Sequence, residues 1–472
     1  MDQGLLSYEQ LIDFHGENMN DSIKIINDIN VTVPASLQLM TPYVLHEQND
    51  WFEDEIKFLR TFIKPGMQVI DIGANYGLYT LTVAKLIGDQ GKIWAFEPTQ
   101  ATAACLKQSI SHNNFTNIEL IQAGLSDQIK KAKFFTGANS ELNSLSKESV
   151  SGEQHETVLL LTLDHCAKKY DWRDIDFIKL DAEGEESRIV KKGRKFLSAQ
   201  SPLIMFELKH GEQVNLFLIN SFKKLGYESY RLIPGLNVLV PFNPAEPFDD
   251  YLLNLFCCKD DKAALLESEG VMVRHWEKMD CPPETTILQD YLTEVPFGKS
   301  LGADLIDCSK ISKDYLEILT RYILAQSQAT SVSEKVGHLL TAIHCLLKVL
   351  ENGEQNIGRL AAFSRIAFAA GARSLGVKIL SYLINKHGQK MDFEINEPVL
   401  PASSRYDSFQ PDHKIKEWLF SSILEQYIIK HAFSSYFTRR QSLPQLELLS
   451  NLGFMDEDMK RRKEMIESCF PA

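Results

Sequence analysis

The sequence predicts an α/β fold with a mostly parallel sheet, followed by an all-α C-terminal domain. Three observations carry this. Between residues 65 and 260, short apolar runs alternate with amphipathic ones, the pattern of strand–helix units whose helices cover both faces of a sheet. One junction, VIDIGANYGLYT (69–80), ends a strand in an acid and opens a helix through two glycines four apart. Beyond residue 310 the apolar spacing is helical almost throughout.

Residues 1–50 carry little periodicity. In WFEDEIKFLRTFI (51–63), Phe52, Ile56, Leu59, Phe62 and Ile63 fall at helical spacing, and Pro65-Gly66 stops that helix. Strands are expected at 67–72, 92–97, 118–123, 175–181 and 202–208, and helices at 77–88, 99–113, 184–198 and 212–225. From 124 to 165 the alternation lapses into a polar stretch containing TGANSELNSLSKESVSGEQ, which reads as a loop or hairpin and as a mobile lid. Two further β-like runs, YESYRLI and NLFCC, close the α/β domain near residue 260.

The chain thus divides into an N-terminal extension with its lead-in helix (1–64), an α/β domain (65–260), a connector (261–310) punctuated by Pro282, Pro283 and Pro296, and a helical C-terminal domain (311–472). Helices in the last read near 312–327, 333–351, 356–370, 373–387, 412–436 and 443–468. The segment 359–384 is spaced like one tetratricopeptide-type hairpin. A repeat array needs about three copies, so a plain helical bundle is expected.

Composition bounds the function. The 472 residues are 44% apolar and 24% charged, as in a globular protein with a sizeable core. A net charge of −13 argues against broad binding to nucleic acid or anionic membranes. The eight cysteines are scattered without a C-x-x-C, which offers no zinc ligand set and suits reduced thiols in a cytoplasm. The N-terminus has no signal-peptide pattern, and no stretch reaches the roughly 20 apolar residues of a membrane span. A soluble, cytoplasmic protein is expected.

A glycine-rich turn between strand and helix usually receives a nucleotide-like ligand, because the helix N-terminus offers free N–H groups. A dinucleotide turn needs a second glycine where the pyrophosphate touches the backbone; here Asn75 stands there, and Gly77 falls one residue early. A P-loop needs Gly-Lys-Ser/Thr, which 73–80 lack. A ligand without phosphates whose cation seeks a carboxylate fits better. S-adenosylmethionine is such a ligand: Asp71 and Asn75 suit its methionine half, and Glu97, ending the next strand, can accept from both ribose hydroxyls.

Residues 43–210 resemble the FkbM-type S-adenosylmethionine-dependent methyltransferases, through EQNDWFEDEIKFL, VIDIGANYGLYT, WAFEP, AGLSD, TLDHC, IDFIKLDAEGEE and PLIMFELKH, in that order. The resemblance implies a class I methyltransferase fold, Rossmann-like, with seven strands of which the last is antiparallel. It implies O-methylation of a hydroxyl on a sugar or polyketide. It also implies that Asp71, Gly73, Asn75 and Gly77 form the cofactor loop, that Glu97 holds the ribose, and that Gly124, Leu125 and Ser126 lie near the adenine. The helical segment from 300 to 472 lies outside it.

Two more strand ends are chemically loaded: IKLDAEGEE (178–186) and FELKHG (206–211). A hydroxyl attacking a sulfonium methyl needs a proton acceptor or a metal, and precise positioning. Asp181 is the first candidate base or acceptor ligand, supported by Glu183; His210 is the second, with a pKa ordinarily near neutrality; Glu207 would orient either. Glu183, Glu185 and Glu186 alternatively read as acids at a helix start, where the dipole favours them, and for Glu185 this is the preferred reading. No third ligand accompanies Asp181 and Glu183, so no metal is expected. RIVKKGRK (188–195) and MKRRK (459–463) read as solvated helix faces.

The fourth strand end reads LDAEG and not the [DN]-P-P-[YF] of DNA amino-methyltransferases, and no Pro-Cys dipeptide offers a cytosine-C5 nucleophile. Glu183 and Glu186 stand too close for the paired glutamates of arginine methyltransferases. The expected acceptor is a hydroxyl of a glycan or small molecule, the helical domain recruiting a protein partner or positioning a large acceptor. The alternatives are a cofactor-binding scaffold acting through its helices, and a protein methyltransferase. The acceptor pocket is expected along residues 134–160.

Overall fold

The computed structural model describes residues 20–135, 155–210, 213–277, 284–301, 308, 311–388 and 390–471. The stretch 136–154, which holds most of the expected lid and acceptor-pocket wall, lies outside the described residues. The chain forms two compact units, 1–232 with 239–247 and 252–272, and 233–238 with 248–251 and 273–472.

The first unit opens with a hairpin of β1 (Asn20–Ile25) and β2 (Ile29–Pro34), then α1 (Met40–Gln48), where the sequence had shown little pattern. The signal is short. Ile23, Ile25, Ile29, Val31 and Val33 alternate into the core on either side of an Asn27-Asp28 turn in which both residues have positive φ. Next comes the lead-in helix α2 (Asp54–Phe62), whose Ile56, Phe58, Leu59 and Phe62 are buried.

The α/β alternation then runs β3 (Gln68–Ile72), α3 (Leu78–Ile87), β4 (Lys92–Phe96), α4 (Gln100–His112) and β5 (Ile118–Ile121). A side sheet follows, of β6 (Gly124–Leu125), β7 (Lys130–Phe135) and β8 (His155–Leu161), with β8 between the other two. The polar stretch expected as loop or hairpin is therefore flanked by paired strands. After α5 (Leu163–Lys169) come β9 (Phe177–Leu180), α6 (Glu186–Lys192), α7 (Arg194–Ala199) and β10 (Leu203–Glu207). The single helix expected at 184–198 breaks at Gly193, where a Cβ would lie 2.5 Å from Leu163 Cδ2. A small ribbon, β11 (Lys209–His210) and β12 (Gln213–Val214), leads to α8 (Leu216–Lys223), β13 (Glu228–Ile233), β14 (Val238–Pro241), β15 (Asn254–Cys258) and α9 (Asp260–Ser268). The last of these is a helix where the sequence read a connector.

The main sheet has the order β14-β13-β15-β10-β9-β3-β4-β5. From β10 to β5 the pairs are parallel, and β15 lies antiparallel between β10 and β13. β14 adds an eighth strand beyond the seven expected. Strands covered on both faces read as near-continuous apolar runs, which is why QVIDI and KIWAF were legible. The one acid within β3, Asp71, is as buried as its neighbours.

The second unit is helical: α10 (Thr285–Glu294), α11 (Lys313–Gln326), α12 (Val332–Glu351), α13 (Ile357–Ala369), α14 (Arg373–His387), α15 (Ile415–Lys430), α16 (Ser435–Thr438), α17 (Leu443–Leu452) and α18 (Glu457–Cys469). The helix expected over 443–468 is split by Gly453, whose φ of 83° caps α17. Trp418 is fully buried and donates its indole N–H to the Tyr406 carbonyl, and Arg365 is held by Asp407 through bonds of 2.7 and 2.6 Å.

Candidate active site

The site is built from the inside of the sheet outward. Asp71 on β3 and Lys179 on β9 are register partners, so their side chains share one face of the sheet. Asp71 Oδ2 accepts from Thr80 Oγ1 at 2.5 Å, while its Oδ1 is buried without a hydrogen-bond donor. Burial raises the Asp71 pKa, against the pull of Lys179 and Thr80.

The loop after β3 turns sharply, with Gly73, Asn75 and Gly77 at φ of 81°, 50° and 91°. Glycine adopts that conformation without cost, and asparagine tolerates it. Gly73 is also required for space, since a Cβ there would sit 1.8 Å from the Asp181 carbonyl oxygen. Asn75 Oδ1 accepts from the Tyr76 N–H at 2.8 Å, so this side chain shapes the turn that a dinucleotide loop shapes with glycine. At Gly77 a Cβ would meet Leu106 Cδ1 at 2.3 Å.

Glu97 follows β4 and is only 6% exposed. Its Oε2 accepts from the Asn75 N–H at 3.0 Å, and its Oε1 from the Thr99 N–H and hydroxyl at 2.9 and 2.6 Å. Burial raises its pKa although these three donors favour the ionised form. Glu97 thereby ties the first loop to the end of the neighbouring strand.

Gly124 and Leu125 form β6 and pair with Leu160 and Leu161. Ser126 is buried; its hydroxyl donates to Glu185 Oε2 at 2.5 Å. Glu185, read from the sequence as a helix-start acid, is therefore a buried partner of the third loop.

At the end of β9, Glu183 and Gly184 take φ of 49° and 95° in succession. A glutamate in the left-handed region is uncommon and marks a turn held by its surroundings. Glu186 holds it, its Oε1 accepting from the N–H groups of Ala182 at 2.8 Å and Gly184 at 3.2 Å. The fold supplies companions for Asp181 that spacing did not reveal: carboxylate oxygens of Asp181, Glu186 and Glu207 lie within 4.8 Å of one another. Such acidic groups are common without an ion. Burial first, then the charges of Asp181, Glu207 and Glu186, push Glu183 up to about 9. Burial, with Asp181 and Glu186, pushes Glu207 to about 9. His210 lies on β11, and its side chain is outside the described residues.

Four residues that the sequence reading left unassigned line up beside these strand ends. Lys179 Nζ donates to Asp181 Oδ2 at 2.8 Å and to the Gly73 carbonyl at 3.3 Å. Tyr79 donates its hydroxyl to Glu53, which also accepts from Asn254 Nδ2 at 3.4 Å. A lysine inside the apolar run FIKL was the available signal for the first, because such a charge is seldom buried without a partner.

The order β5-β4-β3-β9-β10-β15-β13, with β15 antiparallel, defines a class I methyltransferase fold. Residues 71–229 match the family model of the methyltransferase FkbM domain, and the chain carries that domain. Among solved structures, the chain is similar to methyltransferase FkbM from Methylobacillus flagellatus KT, at 16% identity and a TM-score of 0.29 over 41% of this chain and 43% of that one. It is also similar to a SAM-dependent methyltransferase from Aquifex aeolicus, at 13% identity and a TM-score of 0.24 over 48% of this chain and 92% of that one. The chain thus spans less than half of the Methylobacillus protein. A search of curated proteins finds no match to it.

Proposed function

We propose that this protein is an S-adenosylmethionine-dependent O-methyltransferase acting on a hydroxyl of a carbohydrate or related small molecule. The observation that carries the reading is the Asp181 carboxylate. Its side chain is 38% exposed, is held by Lys179, and stands on the turn that touches the Gly73 loop. A proton acceptor thereby sits beside the loop read as the cofactor site.

Two features of the chain fit S-adenosylmethionine. Asp71, buried 4.0 Å from the Lys179 ammonium and bonded to Thr80, anchors the foot of the loop that would receive the methionine half. Glu97 is a carboxylate fixed at the end of β4, where oxygen lone pairs beyond those already engaged suit paired ribose hydroxyls. In this reading Asp71, Gly73, Asn75, Gly77 and Glu97 hold the cofactor, with Gly124, Leu125 and Ser126 toward the adenine. When bound, it supplies a methyl group on positively charged sulfur. Asp181 takes the proton of the acceptor hydroxyl. Glu183 and Glu207, pushed toward the protonated form by burial and by the neighbouring carboxylates, are donors that orient that hydroxyl.

Seven described cysteines are free, which supports a reducing compartment and the cytoplasmic expectation. No helix among the described residues is long and apolar enough to cross a membrane.

Calorimetric titration with S-adenosylmethionine, followed by transfer of labelled methyl to a panel of nucleotide sugars, glycans and co-expressed proteins, tests the reading. Binding with label on sugar hydroxyls supports it. Label on protein overturns the acceptor class, and absence of binding overturns the cofactor.

A further inference from the structure

We propose that Lys179 is the positioning residue of the site, fixing the Asp181 side chain and the Gly73 carbonyl to one ammonium group so that the two loops hold a single geometry. The inference rests on the methyltransferase reading above and extends it to a residue that touches neither reactant.

The bland role for a lysine beside a buried acid is to neutralise it. The geometry says otherwise. Asp71, the deeper carboxylate and the register partner of Lys179, lies 4.0 Å from Nζ, without a hydrogen bond between them. The ammonium turns toward the strand ends, with Asp181 Oδ2 at 2.8 Å and the Gly73 oxygen at 3.3 Å. The Tyr79 ring, its centroid 5.2 Å from Nζ, closes another side. The Lys179 side chain is 7% exposed, so its charge depends on these partners. Burial works against that charge, but Asp181 and Asp71 outweigh it and hold the pKa above the ordinary value.

The consequence for Asp181 is directional. One oxygen is committed to Lys179, and no described residue hydrogen-bonds the other through a side chain. A carboxylate so held presents a single oxygen on a defined vector, which proton removal from a hydroxyl requires. The consequence for Gly73 is mechanical, since its carbonyl belongs to the turn read as the cofactor loop. Strand alternation makes this economical: Asp71 and Gly73 stand two apart on one chain, Lys179 and Asp181 two apart on the next, and the lysine stem rises between them.

The test compares Lys179→Met with Lys179→Arg in the full chain, by amide hydrogen exchange and by titration with S-adenosylhomocysteine, whose sulfur is uncharged. In Lys179→Met, exchange in peptides covering 71–80 and 179–186 should rise about tenfold while β4 and β10 keep wild-type rates. Affinity for S-adenosylhomocysteine should fall about tenfold, the scale of one lost charge-assisted hydrogen bond. Lys179→Arg should restore most of both. Asp181→Ala reads the same link from the other end and serves where Lys179→Met does not fold: releasing the ammonium should loosen residues 73–77. Wild-type exchange in both segments, or loosening spread across the whole sheet, overturns the proposal. Wild-type protein that binds no S-adenosylhomocysteine sinks the cofactor reading instead, and the exchange result still decides the role of Lys179.

Discussion

The main chain of Gly73 and the main chain of Asp181 touch: a Cβ added to the glycine would lie 1.8 Å from the aspartate carbonyl oxygen. The loop read as the cofactor site and the turn that carries the proposed proton acceptor are thus in backbone contact. Gly73→Ala must both enter a positive-φ conformation and push this contact apart. The expected loss is about 2–4 kcal/mol of stability, with loss of cofactor binding. Denaturant unfolding and calorimetric titration check it; a variant of wild-type stability would mean the loops separate freely.

Glu97→Ala removes the acceptor of three hydrogen bonds, one from Asn75 and two from Thr99. Affinity for S-adenosylmethionine should drop by about 1.5–3 kcal/mol, the worth of hydrogen bonds to a charged group. Calorimetry against wild type decides, and unchanged affinity would remove Glu97 from the cofactor site.

Asp181→Ala, which also frees the Lys179 ammonium, should weaken S-adenosylmethionine binding by about tenfold, as Lys179→Met does, and lose transfer by 100-fold or more beyond that, the usual range for a proton acceptor. Single-turnover assay with the acceptor found by the screen separates the two effects. Retained transfer would shift the role to His210 or Glu207.

Glu183 and Glu207 set a pH dependence. Each is a carboxyl raised from an ordinary value of 4.5 to about 9 in the folded chain. Between these values the folded protein keeps protons that the unfolded chain has released. Their contribution to stability is therefore full below pH 4.5 and is lost as the pH rises toward 9. Glu207→Gln keeps the shape without the ionisation. It should be more stable than wild type at pH 9 and differ little at pH 4.5, as followed by thermal unfolding at both pH values.

How legible these features were depended on how local their causes are. The β3–α3 turn was readable because its acid, its glycines and its asparagine are adjacent in sequence. The β1–β2 hairpin was missed although Ile23, Ile25, Ile29, Val31 and Val33 alternate across a three-residue turn. Five apolar positions in a polar stretch are a weak pattern until a helix covers them. The residue at the break between α6 and α7 is glycine because Leu163, thirty residues earlier, occupies the space of a Cβ at Gly193, and no local pattern carries that. At the site, Asp181 and Glu207 stand at two strand ends that the sequence singled out, but the approach of Glu207 to Asp181 and Glu186 depends on β9 and β10 being neighbours. Lys179 was visible as a charge in an apolar strand. Its direction was not, since only the fold shows which acid it faces.

The bonds around Glu97 bear on the thermodynamics of recognition. Its two oxygens are fixed by the protein's own N–H and O–H groups, so the carboxylate and the Asn75 turn are preorganised. A ligand arriving there need not freeze a mobile loop, and the conformational entropy of that loop is spent in folding and not in association. Recognition at this end of the site should then be governed by complementarity of shape and polarity, with fast association and an affinity that rests on dissociation.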